Sequence, residues 1–288
     1  MFAIMGITGQ VGGAVARSLR GQGVAVRAVL RSADKGVEWQ KAGCEIALAD
    51  VADAASLQRA FTGVDGVFIL LPSNFDPSPG FPESAALIAN IRQALLAALP
   101  PKVVVLSTIG AQATQPNLLG QLGLMEQALG SLPLPITFLR AAWFMENAAW
   151  DVQPAQQTGV IPSFLQPLDK PVAMVATADV GRVAAELLQE DWQGLRVVEL
   201  EGPQRVTPQQ IAEAFARLLG REVRMEAVPR DSWDSLFRQQ GMLHPLPRMQ
   251  MLDGFNQGWI EFAQGEAGTR KGLVPLQEVL RGLVERTA

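Results

Sequence analysis

Residues 5–13 read Met-Gly-Ile-Thr-Gly-Gln-Val-Gly-Gly and directly follow a short apolar run at residues 2–4. Gly6 can make the tight turn that ends a strand, because glycine adopts a positive φ without steric cost. Gly9 leaves room for a phosphate to approach the backbone, and Gly12 permits close packing of the next helix. Apolar residues at positions 11, 14, 15 and 19 then recur at helical spacing. The stretch therefore predicts a strand, a glycine turn and a helix in immediate succession.

This succession is typical of the turn that binds the pyrophosphate of a dinucleotide. The first N–H groups of a helix have no partner within the helix and lie at the positive end of its dipole, so they attract an anion. A plain strand-to-helix turn is the alternative, because glycine-rich turns are common. The strand before the motif and the helix after it favour the nucleotide site.

The bulk composition excludes several classes of protein. The chain has 288 residues, of which 48% are hydrophobic and 18% charged, so a sizeable core is expected. Its net charge is −4 and its 24 lysines and arginines are scattered, which predicts no direct nucleic-acid partner. No apolar run approaches the roughly twenty residues that cross a bilayer, and no charged leader precedes the first strand. We expect a cytoplasmic protein without a membrane partner.

The rare residue types narrow the chemistry further. The sequence contains one cysteine, Cys44, one histidine, His244, and no tyrosine. Cys44 lies in a segment at 43–48 that predicts a core strand, in which it is a small buried side chain. A single histidine argues against a histidine-based zinc site, and the Gly-x-Ser-x-Gly motif of serine hydrolases is missing. For His244, in the proline-rich segment 243–247, we expect a loop at the surface or at the edge of a cleft.

Strand-like and helix-like segments alternate through the first half of the chain, which is typical of repeated βαβ units. The pattern predicts strands over 2–5, 25–30, 44–48, 67–71, 102–107 and 136–139, and helices over 11–20, 35–41, 54–61, 82–99 and 118–130. Runs such as 67–71 and 103–106 are continuously apolar, as parallel strands buried on both faces require. We therefore predict an α/β fold with a doubly wound parallel Rossmann sheet over residues 1–150.

The rhythm changes after residue 150, where prolines at 154, 162, 167 and 171 interrupt the chain. A helix over 179–189, a strand over 197–200 and a helix over 208–219 are predicted there, the last with Thr207 as its cap and Pro208 at its first position. Residues 151–288 are predicted to form a small C-terminal α+β lobe that binds substrate and completes the same structural unit. The cleft between the two parts is the predicted active site.

The end of the second strand indicates which dinucleotide is bound. An NAD-specific site carries Asp or Glu about twenty residues after the fingerprint, whereas this strand ends in Arg31 and Ser32. A guanidinium and a hydroxyl there attract a 2′-phosphate, so NADPH is expected to bind more tightly than NADH. The alternative is that Arg31 only solvates a loop. Asp50, after the third strand, is placed either to accept from the adenine amino group or to cap the helix that follows Asp53.

Several motifs together resemble the NmrA-like branch of the atypical short-chain dehydrogenase/reductases. They are the fingerprint at 6–13, Val-Leu-Arg-Ser-Ala-Asp-Lys at 29–35, Ala-Asp at 49–50, Leu-Ser-Thr-Ile-Gly-Ala at 106–111, Leu-Arg-x-x-x-Phe-Met-Glu-Asn at 139–147 and Gly-Glu-Ala-Gly at 265–268. Within this branch the chain is most similar to bacterial NADPH-dependent quinone reductases and triphenylmethane-dye reductases. The resemblance implies NADP binding through Gly6, Thr8, Gly9, Gln10, Val11 and Arg31.

One departure from the wider superfamily affects the chemistry. Most short-chain dehydrogenases use a Tyr-x-x-x-Lys pair as the proton donor and its partner. This chain has no tyrosine, and no lysine in residues 118–128. Many relatives keep a lysine shortly before the glutamate that matches Glu126, whereas the polar residue here is Gln121. Gln121 can hydrogen-bond a ribose or a carbonyl, but an amide cannot supply a proton at neutral pH.

We expect a reaction that needs no strong side-chain acid. Hydride transfer to a quinone-like acceptor requires mainly positioning in a dry cleft. The residues expected to contact the cofactor here are Leu71, Pro72, Ser73 and Thr108. Those expected to line the acceptor are Asn74, Phe75, Ile109, Gln121, Trp143, Phe144 and Asn147. Core packing is the alternative for Trp143 and Phe144. A non-catalytic regulatory protein that senses NADP(H) and acts through protein partners is the second functional hypothesis. An epimerase is a third, disfavoured because it would need the tyrosine. A homodimer or a complex with a protein partner is a further expectation.

Overall fold

The computed structural model describes residues 1–287, which form a parallel sheet covered by helices on both faces. The strands are β1 (Phe2–Ile4), β2 (Val26–Leu30), β3 (Glu45–Leu48), β4 (Gly66–Ile69), β5 (Val103–Thr108), β6 (Ile136–Ala141), β7 (Trp143–Phe144), β8 (Val160–Ser163), β9 (Met174–Val175), β10 (Leu195–Glu201), β11 (Arg224–Ala227) and β12 (Arg270–Lys271). The α-helices are α1 (Gln10–Gly21), α2 (Val37–Lys41), α3 (Ala54–Phe61), α4 (Pro82–Ala98), α5 (Gly120–Gly130), α6 (Ala149–Gln157), α7 (Thr177–Gln189), α8 (Pro208–Leu219), α9 (Trp233–Gln239), α10 (Leu246–Gln257) and α11 (Leu276–Glu285).

The main sheet has the strand order β12-β10-β6-β5-β4-β1-β2-β3, and every pair in it is parallel. The order reverses between β1 and β4, so the connections on the two sides of this point leave in opposite directions. Ligands of open α/β sheets bind at such a point, outside the carboxyl ends of the strands. The glycine turn after β1 lies there, which confirms the predicted doubly wound α/β class.

Two apolar clusters fill the two faces of the sheet. The first contains buried side chains of α1 and α7 and continues into the C-terminal lobe. The second contains buried side chains of α3, α4 and α5. The central strands supply apolar residues to both clusters, which explains why runs such as 103–106 are continuously hydrophobic.

The position of β10 and α7 differs from the sequence-based prediction. Both segments were expected in the small lobe, but β10 pairs with β6 over residues 195–200 and extends the main sheet. Helix α7 packs on α1 and against β4, β5 and β6. The chain thus returns to the sheet after residue 176, because β10 completes the hydrogen bonds of β6 and α7 covers its apolar face. The remaining lobe contains the β8–β11 and β7–β9 pairs and the helices α6 and α8–α11.

Local predictions near the second and third strands also need correction. The segment 44–48 is an edge strand and not a core strand: β3 pairs only with β2 in the main sheet, and Glu45 and Leu48 are exposed. Cys44 itself is buried, and burial raises the pKa of its thiol. The helix predicted over 35–41 begins as a 3₁₀ turn over Ala33–Gly36 and becomes α-helical at Val37.

The start of α8 agrees with the predicted cap. The Thr207 hydroxyl accepts from the Gln210 amide at 3.1 Å, and the Gln210 side chain accepts from the Thr207 amide at 2.9 Å. Pro208 occupies the first helical turn. None of the helices within residues 1–287 is long and apolar enough to cross a membrane.

Candidate nucleotide-binding and active site

The glycine turn has the backbone geometry that its sequence predicts. Gly6 has a φ of +62°, a region that favours glycine, and its carbonyl accepts from the Gly9 amide at 2.9 Å. A Cβ on Gly12 would lie 2.4 Å from the Gly6 carbonyl oxygen and 2.6 Å from that of Met5. Since backbone atoms cannot move aside, only glycine at position 12 lets α1 approach the strand this closely.

The N-terminus of α1 faces open space and fits an anionic ligand. Gly9 is the N-cap, and no side chain among the described residues caps it. A Cβ on Gly9 would have only the Gly6 carbonyl oxygen within 4 Å, at 3.3 Å, so the backbone at Gly9 is open to a ligand. Thr8 and Gln10 are exposed beside it, and Val11 is buried beneath. The N–H groups of the first helical turn are therefore available to phosphate oxygens.

Basic side chains follow β2, at the same edge of the sheet. Arg31 is exposed, and the Ser32 hydroxyl donates to the Asp34 carboxylate. Lys35, in the adjoining 3₁₀ turn, is exposed as well. Lys35 was not among the predicted site residues, although a second basic residue four positions after Arg31 is a signal for a phosphate subsite.

Asp50 closes a turn after β3. Its carboxylate accepts from the Ala52 amide at 2.9 Å, whereas the cap of α3 is Asp53, whose carboxylate accepts from the Ala55 amide at 3.0 Å. The alternative in which Asp50 caps this helix is therefore wrong. Contact of Asp50 with the adenine stays a prediction.

The loop after β4 forms one wall of the cleft. Leu71 is buried, whereas Pro72 and Ser73 are exposed, and Phe75 has 65% of its surface exposed. The Asn74 side chain accepts from the Asp76 amide at 3.1 Å, which closes a tight turn within the loop. A large apolar side chain so exposed at a cleft is well placed to cover a flat ligand.

Gln121 holds this loop from below. Only 4% of its surface is exposed. Its amide nitrogen donates to the carbonyls of Asn74 and Leu118, both at 3.0 Å, and its oxygen accepts from the Ser84 hydroxyl at 2.5 Å. With its amide engaged by protein groups, the geometry favours a positioning role for Gln121 over direct contact with a substrate.

The C-terminal lobe reaches the same loop through Asp76. The carboxylate of Asp76 accepts from the backbone amides of Leu243 and His244 at 2.7 and 2.6 Å. Desolvation acts to raise the pKa of Asp76, but these hydrogen bonds and the charges of His244 and Arg238 outweigh it and lower the pKa. The ionised carboxylate of Asp76 thus connects the β4 loop to residues 243–244 of the C-terminal lobe. His244 is half-buried at the cleft edge, as expected from its proline-rich segment.

A buried ion-pair network lies under the carboxyl ends of β5 and β6. Arg140 donates to both carboxylate oxygens of Glu126, at 2.9 and 2.6 Å, and the Ser107 hydroxyl donates to Glu126 at 2.5 Å. Glu199 of β10 accepts from Arg140 at 3.4 Å and from two backbone amides of the segment 263–264. The hydrogen bonds with Glu126 are the main reason that the pKa of Arg140 is raised. These charges were not among the predicted site residues, although an arginine and a glutamate within apolar strands are a signal for buried pairing.

The remaining predicted residues line the other side. Thr108 is half-buried at the end of β5, and Ile109 is buried after it. Trp143 packs edge-on against Phe255 of α10, with ring centroids 5.1 Å apart. Phe144 is half-buried in β7, and Asn147 is exposed. Trp143 therefore packs against a helix of the same C-terminal lobe, and this contact favours the core-packing alternative for its ring.

The fold and the turn together define a dinucleotide-binding Rossmann protein. The model of the NmrA-like family matches residues 1–264, and the chain belongs to that family.

Two curated relatives are similar over most of their lengths. An NAD(P)H azoreductase of Xenophilus azovorans is 26% identical over 244 residues, which cover 84% of this chain and 82% of that protein. Quinone oxidoreductase 2 of Escherichia coli is 25% identical over 244 residues, with the same two coverages of 84% and 82%.

Solved structures of related reductases share the fold. An NADPH-dependent quinone oxidoreductase of Escherichia coli, complexed with NADPH, has a TM-score of 0.81 at 23% identity and covers 100% of both chains. A triphenylmethane reductase of Citrobacter sp. has a TM-score of 0.81 at 21% identity and covers 99% of both chains.

Proposed function

We propose that this chain is an NADPH-dependent reductase that transfers a hydride to a quinone-like or other conjugated small-molecule acceptor. The observation that carries the proposal is the glycine turn of Gly6, Gly9 and Gly12, with the open N-terminus of α1 at the point where the strand order reverses. Membership of the NmrA-like family and relatives named as NAD(P)H-dependent reductases support the class of activity.

The chain's own residues bind and position the reactants. The N–H groups of the first turn of α1 bind the pyrophosphate, and Arg31 with Ser32 binds the 2′-phosphate. NADPH, when bound, supplies the hydride. The loop residues Pro72 to Phe75 and the aromatic Phe144 hold the acceptor flat and exclude water.

The site has no tyrosine to donate a proton, which suits a delocalised acceptor. A quinone spreads the incoming negative charge over its ring system, so water can protonate the product after transfer. Oxidation of a simple alcohol requires a base in the transition state, and general acid–base catalysis contributes roughly 10²- to 10⁴-fold. The same cleft is therefore expected to reduce quinones and to leave secondary alcohols untouched.

The test is a steady-state assay of NADPH oxidation with a panel of quinones, azo dyes and triphenylmethane dyes. We expect saturable NADPH oxidation with at least one conjugated acceptor. We expect no oxidation of 2-propanol with NADP⁺. Robust alcohol oxidation would show that another group, such as His244, acts as the base. Tight NADPH binding without turnover of any acceptor would replace the proposal with the NADP(H)-sensing alternative.

The preference for NADPH over NADH is part of the proposal and is tested at Arg31. We expect Arg31→Asp to reverse the preference, because a carboxylate repels the 2′-phosphate and accepts from the hydroxyl of NADH. Arg92→Asp, which makes the same charge change on the exposed face of α4, is the matched control. Equal affinities of the wild type for both nucleotides, or an unchanged ratio in Arg31→Asp, would contradict the assignment.

A further inference from the structure

Arg248, in the first turn of α10, is a partly buried cation without a counter-ion. Its guanidinium lies over the Phe237 ring, 4.5 Å from the centroid, and one nitrogen is 3.7 Å from the Met242 sulfur. Within residues 1–287 no carboxylate forms an ion pair with it, whereas the buried Arg140 and the partly buried Arg205 are both paired with glutamates.

A desolvated guanidinium without an anionic partner is unusual. Burial lowers the pKa of Arg248, which reflects a charge that the surrounding protein does not compensate. The ring of Phe237 and the sulfur of Met242 offset part of the desolvation cost. Arg230 also stacks on an aromatic ring, 4.7 Å from the centroid of Trp233, but its charge is compensated. Its guanidinium donates to both carboxylate oxygens of Asp253 at 2.7 Å.

The start of α10 is held against the cleft by hydrogen bonds. The Pro247 carbonyl, adjacent to Arg248, accepts from the Leu118 amide at 2.9 Å, and Leu118 also accepts from Gln121. The preceding residues Leu243 and His244 bind Asp76 of the β4 loop. The chain around Arg248 is thus hydrogen-bonded to the β4 loop, through Asp76, and to the segment before α5, through Leu118.

Helix α10 carries both Arg248 and Phe255, which contacts Trp143. Arg248 and Phe255 are seven residues apart and lie on the same face of the helix. Phe255 packs edge-on against Trp143. Two large exposed apolar side chains, Phe75 and Leu243, lie next to the hydrogen bond that joins Leu243 to Asp76 of the β4 loop. An aromatic ligand held against Phe75 and Leu243 would lie beside the segment that carries Arg248, a cation with no carboxylate partner among residues 1–287.

We infer that Arg248 binds an anionic substituent, a sulfonate or a carboxylate, on the aromatic acceptor and so selects acidic acceptors over neutral ones. This inference rests on the proposed function. An ion pair with substrate replaces the missing counter-ion, and a bidentate contact fixes the ring in one orientation. Arg248 is a specificity-determining residue and takes no part in hydride transfer.

The experiment compares naphthoquinone sulfonate with the parent naphthoquinone in the full-length protein. The measured quantity is the ratio of the two kcat/KM values. We expect Arg248→Met to lower the ratio at least about tenfold, since a hydrogen bond to a charged group is worth about 1.5 kcal/mol or more. Arg248→Lys should keep part of the preference. Arg230→Met, which removes an arginine stacked on the same aromatic cluster but already paired, is the control and should leave the ratio unchanged.

A binding measurement separates this inference from the proposed function. Calorimetric titration of the NADP⁺-loaded protein with naphthalene sulfonate needs no turnover. We expect binding to the wild type and a dissociation constant at least about tenfold higher in Arg248→Met. Absence of turnover with both quinones would refute the proposed function, while this titration still decides the role of Arg248. No sulfonate binding to the wild type, or a change below about twofold in both the ratio and the dissociation constant, would overturn the inference.

Discussion

Asp151 shows how one side chain can couple the fold to pH. It lies in the first turn of α6, between Ala148, Val152 and Ala155 on the buried face of that helix. Among residues 1–287, none donates a hydrogen bond to its carboxylate, and burial raises its pKa to about 7. The folded state therefore holds the proton of Asp151 more tightly than the unfolded state does.

The sign of the pH dependence follows from this shift. The stability associated with the protonated form is complete below the ordinary pKa of 3.8 and is lost as pH rises towards about 7. We expect Asp151→Asn to be nearly neutral at pH 4 and to stabilise the protein by about 1 kcal/mol or more at pH 8. Urea unfolding at a series of pH values measures the difference.

Asp231→Asn is the control, because it removes a carboxylate from an exposed turn. Its stability relative to the wild type should not vary with pH in the same way. An Asp151→Asn variant whose stability difference is the same at pH 4 and pH 8 would show that the carboxyl is solvated.

At the scale of elements, the contact between α1 and α7 depends on Gly181. A Cβ at this position would lie 2.3 Å from the Ala14 Cβ and 2.6 Å from the Ala14 carbonyl carbon. Two helices that cover the same strands therefore approach closely, and α1 carries the glycine turn at its N-terminus. The spacing between the helices fixes the position of that turn above the sheet.

We expect Gly181→Ala to destabilise the protein by about 1–3 kcal/mol, because the backbone of α1 cannot yield without shifting the whole helix. Gly21→Ala is the matched control. Its Cβ would contact nothing within 4 Å, and alanine is favoured over glycine in a helix, so the variant should be neutral or slightly more stable. Thermal unfolding of both proteins tests the difference. Equal melting temperatures of Gly181→Ala and Gly21→Ala would contradict this expectation, because α1 and α7 would then make room for the added methyl group without loss of stability.

Element boundaries were predictable where the pattern is local. The helix over Ala54–Phe61 and the capped start of α8 follow from short-range signals, and the structure has both where they were predicted. The network of Glu126, Arg140 and Glu199 was not predictable as a unit, because its members come from α5, β6 and β10. A charge in an apolar strand indicates that a partner exists, but only the packing of distant elements identifies it.

For the whole molecule, nucleotide binding is expected to stabilise the fold through the glycine turn. NADPH at about one hundred times its dissociation constant should add about 2.7 kcal/mol and raise the melting temperature by about 5 °C. Gly9→Val should abolish this shift, because its side chain fills the open space before α1 and not the core. Gly21→Ala should retain the shift. A Gly9→Val protein that is still stabilised by NADPH would place the phosphates elsewhere.

The Rossmann half and its nucleotide turn were accessible from sequence, because they depend on neighbours in the chain. A positive φ at Gly6, the close approach at Gly12 and apolar parallel strands each leave a local pattern. Tertiary structure decided that β10 extends the main sheet, that Gln121 holds the Asn74 loop and that Arg248 has no carboxylate partner within residues 1–287. These features are contacts between residues far apart in sequence, and hydrophobic periodicity carries no information about which distant element a side chain meets.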